Sequence, residues 1–321
     1  MELIVKKTNE LTDADIIQYC QCFSRVFDRE RDPSIFHSMF ENTCLGYSFH
    51  SLLIDRDGRV RGGYTSIPMS YKVNGGSMLF AFGVDLMIDE DLRSDVSNLL
   101  AIVKANDKAL KEASVKCFYG FPNNNSYKVN LAFIRMMDIC SLDTYILPWK
   151  VGDAKSSLKL LNLFSTLFVK SLLLYSKTSS DSKAIDYPIH KNQPEFDKSR
   201  YKWFNPHEYR HYQDESMICH WKVSEFEGIK AAFLMDVYPM SKKNFDKAVR
   251  IAYNDCYKQV GMLLYVGKLP FTPKSIIKVP IKLNPKNFHF VAKILDKAVL
   301  NKEMVINGTN WDVNLASYDL L

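Results

Sequence analysis

Residues 79–127, LFAFGVDLMIDEDLRSDVSNLLAIVKANDKALKEASVKCFYGFPNNNSY, carry the strongest structural pattern of the chain. It predicts a strand over Leu79–Met87, an acidic loop, a helix to about Ala113, a second strand over Cys117–Phe121 and a polar turn. A strand that leads into a helix N-terminus presents free backbone N–H groups and the positive end of a helix dipole. Such an end binds phosphate groups, so the stretch indicates a phosphate-bearing cofactor.

Composition excludes several classes of protein. The chain has 321 residues, of which 47% are hydrophobic, enough for two cores. The net charge of +6 comes from scattered lysines and arginines, so we expect no nucleic-acid partner. The 7 cysteines have irregular gaps and form no disulfide framework, and residues 1–7 lack the apolar core of a signal peptide. A cytoplasmic location is expected.

The first half of the chain reads as an α/β domain. Thr12 caps a helix, and Asp32-Pro33 opens another. From Tyr47 the apolar period changes to two, and turns at Asp57-Gly58 and Asn74-Gly75 predict hairpins. The sheet is therefore expected to be largely antiparallel.

The second half repeats the plan. The expected elements are a hairpin of Met217–Val223 and Ile229–Val237, a helix from Ser241, strands over Met262–Gly267 and Ser275–Leu283, and a helix over Asn287–Asp296. These patterns predict domains at 1–150 and 186–321, joined by an apolar connecting helix and linker at 151–185.

The connecting segment is unusually apolar. Ser156–Tyr175 is rich in Leu and Phe, and Lys159 and Lys170 argue against a membrane-spanning helix. We expect a helix packed across both domains. The alternative is a helix that lies on a membrane surface, which would make a peripheral membrane contact through residues 156–175.

The turn Met87–Ser97 resembles the acyl-CoA-binding motif of the GNAT (GCN5-related N-acetyltransferase) superfamily. The resemblance implies that the turn's amides hold the cofactor pyrophosphate and that the preceding strand pairs with the pantetheine arm. Arg93 matches the family's leading Arg, but Ser94-Asp95-Val96 replaces its Gly-x-Gly, and each Cβ obstructs close approach of backbone to phosphate. The implied cofactor-binding residues, for acetyl-CoA or another acyl-CoA, are Leu86, Met87, Arg93, Ser94, Val96, Ser97, Asn123 and Asn125.

The polar turn carries a second resemblance. Tyr119–Tyr127 looks like the Tyr-Gly-Phe-Pro-Asn-x-Asn-Ser-Tyr segment of bacterial (Bacteroidetes-type) two-module GNAT-like proteins, often found near surface-polysaccharide genes. It implies that Tyr127 acts as general acid toward the leaving thiolate and that Asp85 acts as a base through water. Where that family continues with a Gly-aromatic pair, this chain has Arg135-Met136-Met137-Asp138.

A third resemblance extends to the second half. The segment Arg200–Tyr212 and the ending, Asn310-Trp311-Asp312 and Tyr318-Asp319-Leu320, are similar to the same two-module proteins. Together the resemblances imply an α/β protein of tandem GNAT-like modules, each a mixed, largely antiparallel sheet flanked by helices. They imply an N-acyltransferase that moves an acyl group from acyl-CoA to an amine, such as an amino sugar of a surface polysaccharide. The alternative is a catalytically degenerate module that binds a partner.

A zinc site is a further alternative. His207-Glu208-Tyr209-Arg210-His211 fits the His-Glu-x-x-His pattern, in which two histidines on a helix hold zinc and the Glu activates water. Pro206 precedes the motif and Arg210 places a cation inside it, so no metal is expected. His220 is expected to be a packed strand histidine.

Overall fold

Alternating apolar residues build the strands of this chain, and capped apolar runs build its helices. A computed structural model describes residues 1–154, 156–180, 183–203, 208–226, 228–283 and 287–318. In these ranges the strands are β1 (Glu2–Lys7), β2 (Phe49–Ile54), β3 (Val60–Val73), β4 (Gly76–Ile88), β5 (Cys117–Gly120), β6 (Met137–Ser141), β7 (Asp143–Pro148), β8 (Ile189–Lys191), β9 (Tyr209–Gln213), β10 (Ile218–Phe226), β11 (Ile229–Tyr238), β12 (Met262–Gly267), β13 (Ile277–Lys278) and β14 (His289–Ile294). The helices are α1 (Asp13–Phe27), α2 (Phe36–Phe40), α3 (Val96–Glu112), α4 (Asn124–Ala132), α5 (Val151–Ala154), α6 (Asn162–Ser176), α7 (Gln193–Arg200), α8 (Lys242–Cys256) and α9 (Lys302–Ile306).

The chain divides into two units, and each is assembled from separate stretches of sequence. Unit 1 comprises Met1–Cys140, Pro188–Pro206 and His289–Asn310, and unit 2 comprises Ser141–Tyr187, His207–Phe288 and Trp311–Leu321. The domain boundaries expected from sequence, 1–150, 151–185 and 186–321, are continuous segments. The division differs because β14 pairs in the sheet of unit 1 whereas β7 pairs in that of unit 2.

Unit 1 is built on a mixed sheet. Its strand order is β1-β2-β3-β4-β5-β14-β6, with β8 paired to β3. The pairs β1–β2, β2–β3, β3–β4, β3–β8 and β5–β14 are antiparallel, and β4–β5 is parallel. Because β4 and β5 are joined through α3, this parallel pair forms a βαβ unit.

One face of α3 closes the core of unit 1. Leu99, Ile102, Val103 and Leu110 recur at helical spacing and are buried with the Phe118 ring of β5. This apolar stripe is the one that predicted the helix. The core thus holds α3 on the sheet and fixes where its N-terminus lies relative to β4.

Unit 2 repeats the arrangement with strand order β13-β7-β12-β11-β10-β9. The pair β11–β12 is parallel, and the connecting helix α8 is capped by the Ser241 side chain. The predicted inner face of this helix is confirmed, since Phe245, Val249 and Ala252 are fully buried. Both sheets are mixed, largely antiparallel and flanked by helices, which confirms the predicted α/β fold class.

Two predictions near the C-terminal end of the chain are wrong. Asn287–Asp296 was expected to be helical, but His289–Ile294 is strand β14. Its Phe290, Val291 and Ala292 are all buried, so a short apolar run that also fits a helix is a fully buried strand. Of the strand expected over Ser275–Leu283, only Ile277–Lys278 is extended.

The apolar segment after α5 forms a helix that is largely exposed. Within α6 the buried residues are Val169, Leu173 and Ser176, whereas Phe164 is 69% exposed. Ser156–Ser176 is the one described helical stretch that is long and apolar enough to cross a membrane by length and composition. The exposure of its apolar side chains does not fit the expected helix packed across both domains.

Candidate functional site

The parallel pair of unit 1 opens into a fork. β4 and β5 pair from Phe80 with Cys117 to Gly83 with Gly120, where the described register ends. Both strands run toward the same edge of the sheet, so the segments that follow them leave from that edge. Ligands of open α/β sheets bind at such carboxyl ends. We call the place beyond Gly83 and Gly120 the fork.

A bulge in β4 lies immediately beyond Gly83. Gly63 of β3 pairs with Met87 and Thr65 pairs with Val84, so β4 carries one more residue than its partner. Asp85, inside this bulge, has φ of 53°, a left-handed conformation that is uncommon for a residue other than glycine. A bulge bends the strand and re-aims its backbone groups. The direction of β4 therefore changes at the fork.

An ion pair holds Asp85 in this conformation. Arg31 donates to both carboxylate oxygens of Asp85, with a distance of 3.2 Å from Nη2 to Oδ1. The Tyr19 hydroxyl donates to Oδ2 at 2.6 Å. The Arg31 and Asp85 side chains are only 10% and 6% exposed. The carboxylate is thus bound by a buried cation, and a base at this position would first have to leave that pair.

The hydrogen bonds continue inward from Tyr19. The Tyr19 and Thr65 hydroxyls lie 2.8 Å apart, and Thr65 Oγ1 lies 3.1 Å from His50 Nδ1. His50 Nε2 lies 3.0 Å from the Thr8 hydroxyl. Burial lowers the pKa of His50 to about 3, because the charged imidazolium would be desolvated. The bulge is therefore anchored to a neutral polar chain inside unit 1.

The start of α3 is capped by its own carboxylate. Asp95 is the N-cap, and its Oδ1 accepts the Ser97 amide at 2.8 Å. Hydrogen bonds from the Ser97 hydroxyl and amide lower the pKa of Asp95, so the carboxylate stays ionised. The capping carboxylate occupies the place where the helix dipole favours an anion.

The other candidate residues of this turn differ in their exposure. Ser94, Val96 and Ser97 are exposed, and Arg93 Nε donates to the Ile88 carbonyl at 3.0 Å. Leu86 is half-buried and Met87 is fully buried. Met87 is therefore closed to solvent, whereas Arg93 and the serines present side chains to solvent.

The acidic loop before α3 is fixed by two arginines. Asp89 accepts from Arg25 Nε at 3.1 Å and from Arg61 Nε at 2.7 Å. Arg61 also binds Asp91, and this contact lowers the pKa of Asp91. These two cations hold the loop in place and are already paired, which leaves Arg93 as the exposed cation of the turn.

The polar segment after β5 forms the first turn of a helix. Asn123 is the N-cap of α4, with its Oδ1 accepting the Ser126 amide at 2.9 Å, and Asn125 is exposed. The Tyr127 ring stacks on His289 with centroids 4.0 Å apart. Partial burial and a hydrogen bond to Asp138 raise the pKa of Tyr127.

The structure brings the sequence-predicted residues to one edge of the sheet. Asp85, Leu86 and Met87 follow Gly83 on β4, and Asn123, Asn125 and Tyr127 follow Gly120 on β5. Sequence patterns did not indicate that Asp85 is bound by Arg31, in the loop after α1, and by Tyr19 of α1, or that Asp138 and His289 lie beside Tyr127. Their separation along the chain leaves no local signal, except that His289 lies in an apolar run of alternating character.

The zinc motif does not form a helical site in the residues that can be described. His207 lies outside the described residues, as do Phe204, Asn205 and Pro206. Tyr209–Gln213 is strand β9, so His211 lies on a strand, and Arg210 pairs with Asp255. Within the described ranges no group of three metal-ligating side chains comes together. His220 is buried on β10, as predicted.

Unit 2 has a corresponding fork, and its own chain fills it. β11 carries a bulge, because His220 pairs with Asp236 while Trp221 pairs with Leu234. Asn314 bridges to Gly267 at the end of β12 and donates to Asp236 Oδ1 at 2.8 Å. The segment Trp311–Tyr318 is buried there. Asp319 and Leu320, of the expected ending, lie outside the described residues.

Comparison with solved structures identifies the fold. A conserved protein of unknown function from Enterococcus faecalis, described as a probable N-acyltransferase, matches with a TM-score of 0.53 and 12% identity over 92% of this chain and 73% of its own. A GCN5-related N-acetyltransferase from Anabaena variabilis matches with a TM-score of 0.54 and 12% identity over 91% and 73%. One from Kribbella flavida matches with a TM-score of 0.55 and 11% identity over 92% and 71%.

The chain has the GNAT fold. The two sheets fit tandem GNAT-like modules, so the predicted fold is confirmed, and the neighbours cover nearly the whole chain. No protein-family model matches the sequence, and no curated protein matches it. At such low identity the GNAT fold is shown and the activity is a separate question, which depends on the fork.

Proposed function

We propose that the chain is an acyl-CoA-dependent N-acyltransferase whose site is the fork of unit 1. The observation that carries the proposal is the bulged strand: β4 leaves β5 after Gly83 and Gly120, and Asp85 turns its backbone at that point. Strand backbone freed from its neighbour is able to pair with an extended amide-containing ligand. The neighbours of GNAT fold support the same class of reaction.

The residues present fit an acyl-CoA in part. Backbone groups of the half-buried Leu86 would hold the extended arm, with the buried Met87 behind it, and the exposed Arg93, Ser94 and Ser97 would contact the phosphates. The exposed Asn123 and Asn125 would do so from the start of α4. When bound, the acyl-CoA supplies a thioester-activated acyl group, and an amine acceptor attacks it directly. Backbone N–H groups of the bulge would stabilise the developing oxyanion.

Tyr127 remains our proposed general acid. A phenol is protonated at neutral pH, as a proton donor must be, and the raised pKa of Tyr127 makes it a weaker acid than an ordinary tyrosine. Asp138 accepts its hydrogen bond and stacking on His289 fixes its ring. For Asp85 the Arg31 pair supports a positioning role, in which the carboxylate holds the bulge instead of relaying a proton.

Support for the acceptor and the compartment comes from the sequence. An amino sugar of a surface polysaccharide is the acceptor that the resemblance of Tyr119–Tyr127 favours, and a small amine is the broader class. A cytoplasmic location fits the seven free cysteines. Unit 1 is preferred over unit 2 because residues Trp311–Tyr318 fill the second fork.

One observation favours a degenerate binding module as the second candidate. Asp95 already neutralises the N-terminus of α3, and its charge would repel a pyrophosphate. The side chains of Ser94 and Val96, which replace the glycines of the GNAT motif, also disfavour pyrophosphate binding, because each Cβ obstructs close approach of the backbone. If this candidate is right, the chain keeps the GNAT fold and binds a partner without CoA.

Titration with CoA separates the two candidates. The stability of a transferase rises with the logarithm of CoA concentration once that concentration exceeds Kd, because only the folded state binds the ligand. Asp95→Asn should bind CoA several-fold more tightly, since the repulsion between the carboxylate and the pyrophosphate is removed. Asp13→Asn removes a charge at the first turn of another helix and should leave CoA affinity unchanged. No rise in melting temperature at millimolar CoA, in either the native chain or Asp95→Asn, would favour the degenerate module.

A further inference from the structure

Helix α6 exposes an apolar face. Six apolar side chains lie on it, four in its first two turns and two in its last, with the exposed Ser171 between them, and each of the six is 51–69% exposed. We define this apolar face as Leu163, Phe164, Leu167, Phe168, Leu174 and Tyr175. Exposed apolar surface of this kind on a folded protein marks a site of association.

The opposite side of α6 is fixed to unit 2. The hydroxyls of Ser165 and Thr166 donate to the Trp149 carbonyl at 2.8 and 2.7 Å. Val169 and Leu173 belong to the core of unit 2. The helix therefore cannot leave the unit without breaking that core, and a path across a bilayer would place Lys170 near its centre. A helix that lies in the plane of a membrane surface would keep the core of unit 2 intact and would not bring Lys170 to the centre of the bilayer.

Cations border the apolar face on one flank. Lys170 and Lys177 are seven residues apart, so they share a flank of the helix, between the exposed face and the buried one. Together with Arg250 of α8 they line a cavity of about 300 Å³, whose wall includes Leu173 and Leu174. In the part of the chain that the structure describes, no carboxylate lies at ion-pair distance from these three cations.

Other charged groups near the apolar face of α6 are also consistent with a positively charged border. Arg250 donates to the Ser176 hydroxyl at 2.8 Å, which fixes its guanidinium beside the cavity. The Lys274 ammonium lies 4.8 Å from the centroid of the Tyr175 ring. Asp246, the nearby acidic residue on α8, is fully buried and takes hydrogen bonds from the amide and hydroxyl of Ser275. The exposed charge bordering this face is thus positive.

We propose that α6 docks the protein on an anionic lipid bilayer. The apolar face enters the boundary between headgroups and acyl chains, and Lys170, Lys177 and Arg250 hold a lipid phosphate in the cavity. An apolar stripe bordered by lysines is the pattern of interfacial helices, and anionic lipid is the complement of the charge. Tyr175 lies at the end of the face, where an aromatic ring with a polar tip suits the interface.

Co-sedimentation of the full chain with vesicles tests the proposal. Binding is expected to phosphatidylcholine vesicles containing about 30% phosphatidylserine, and to be weaker on pure phosphatidylcholine and at high salt. Lys170→Gln/Lys177→Gln should lower the partition coefficient about 25-fold, at about fivefold for each cation. Phe164→Ser/Phe168→Ser should lower it about 100-fold.

Matched variants control for charge and apolarity. Lys104 and Lys111 are exposed lysines seven residues apart on α3, so Lys104→Gln/Lys111→Gln removes the same charge from another helix. Ile17 is 46% exposed on α1, and Ile17→Ser removes an exposed apolar side chain. Both controls should keep the vesicle binding of the native chain. If the control variants lose as much vesicle binding as the α6 variants, a specific role of α6 is refuted.

A fluorescence measurement gives an independent readout of depth. The 4 native tryptophans are at most 4% exposed, so a tryptophan introduced by Phe168→Trp reports the apolar face. Brominated acyl chains should quench it in anionic vesicles. Absent vesicle binding and quenching would overturn the proposal. A dimer that Phe164→Ser/Phe168→Ser abolishes would also overturn the proposal, because it would assign the apolar face to a second copy of the chain. Binding of inorganic phosphate without binding of vesicles would overturn it as well.

Discussion

Breaking the ion pair at the β4 bulge should destabilise unit 1 severely. Arg31→Met removes the guanidinium but keeps a side chain of similar reach over Phe23, whose ring centroid lies 3.7 Å from the Arg31 Cζ. The carboxylate of Asp85 then remains in a site where it is 6% exposed, with only the Tyr19 hydroxyl to solvate it. The reciprocal variant, Asp85→Asn, leaves the guanidinium without its counter-ion.

The magnitude follows from the burial of both partners. Removing one member of a buried pair costs about 3–5 kcal/mol, because the remaining charge is uncompensated. The double variant Arg31→Met/Asp85→Asn leaves no orphan charge, so it should cost less than the two single losses combined, with a coupling of about 2–3 kcal/mol. If Asp85 holds the bulge, the double variant should also weaken CoA binding, because the strand beyond Gly83 is no longer fixed.

Hydrogen exchange of the β4 amides provides the assay, since it gives the opening free energy of that strand separately from unit 2. The exposed pair Lys108–Glu112 on α3, at 3.9 Å and with side chains 78% and 67% exposed, is the control. The same cycle there should show a coupling of about 0.5 kcal/mol or less. A coupling that small at Arg31–Asp85 would refute the view that a buried ion pair maintains the bulge.

Three further predictions concern the fork and its surroundings. Gly83→Ala should cost about 1–3 kcal/mol of unfolding free energy, since its Cβ would lie 2.4 Å from the buried Phe118 ring, whereas Gly120→Ala, with nothing nearer than 3.7 Å, should be nearly neutral in denaturant melts. His50, with a folded pKa of about 3 against ~6.5 unfolded, contributes stability above pH 6.5 that is lost as the pH falls toward 3. The loss should be about 2 kcal/mol between pH 7 and 5, and a His50→Gln variant with the same slope in urea melts would refute this source. Tyr127→Phe should lower kcat by about 100-fold or more with little change in CoA affinity, and an unchanged kcat would exclude it as the general acid.

Local pattern predicted most of the elements around the fork. The hairpins turned at Asp57-Gly58 and Asn74-Gly75, the apolar stripe of α3 and the inner face of α8 all depend on neighbouring residues, and all are present. These features are encoded within a few residues, so a single sequence suffices to find them.

Long-range pairing accounts for what the sequence did not show. Arg31 lies 54 residues from Asp85, and no periodicity links a loop arginine to one strand carboxylate. The apolar run of β14 is short, so its sequence alone also fits a helix. It forms a strand because it pairs with the edge of β5. Because β14 pairs in unit 1 and β7 pairs in unit 2, both units are discontinuous in sequence. Domain boundaries predicted from composition enclose continuous segments, so they do not describe such units.

The two forks show how one architecture takes on different roles. Each has a parallel strand pair, a connecting helix and a bulge that bears an aspartate, Asp85 in unit 1 and Asp236 in unit 2. In unit 2 the carboxylate is bound by the amide of Asn314, which comes from a segment that includes the fully buried Trp311. A ligand that entered there would have to displace the buried segment that carries Asn314. In unit 1 the carboxylate of Asp85 is bound by Arg31 instead, and Arg31 lies in a segment that precedes β4 in the sequence. If the chain is the acyltransferase proposed above, binding energy from a ligand would act on the acyl group in unit 1, because in unit 2 it would first be used to displace the chain itself.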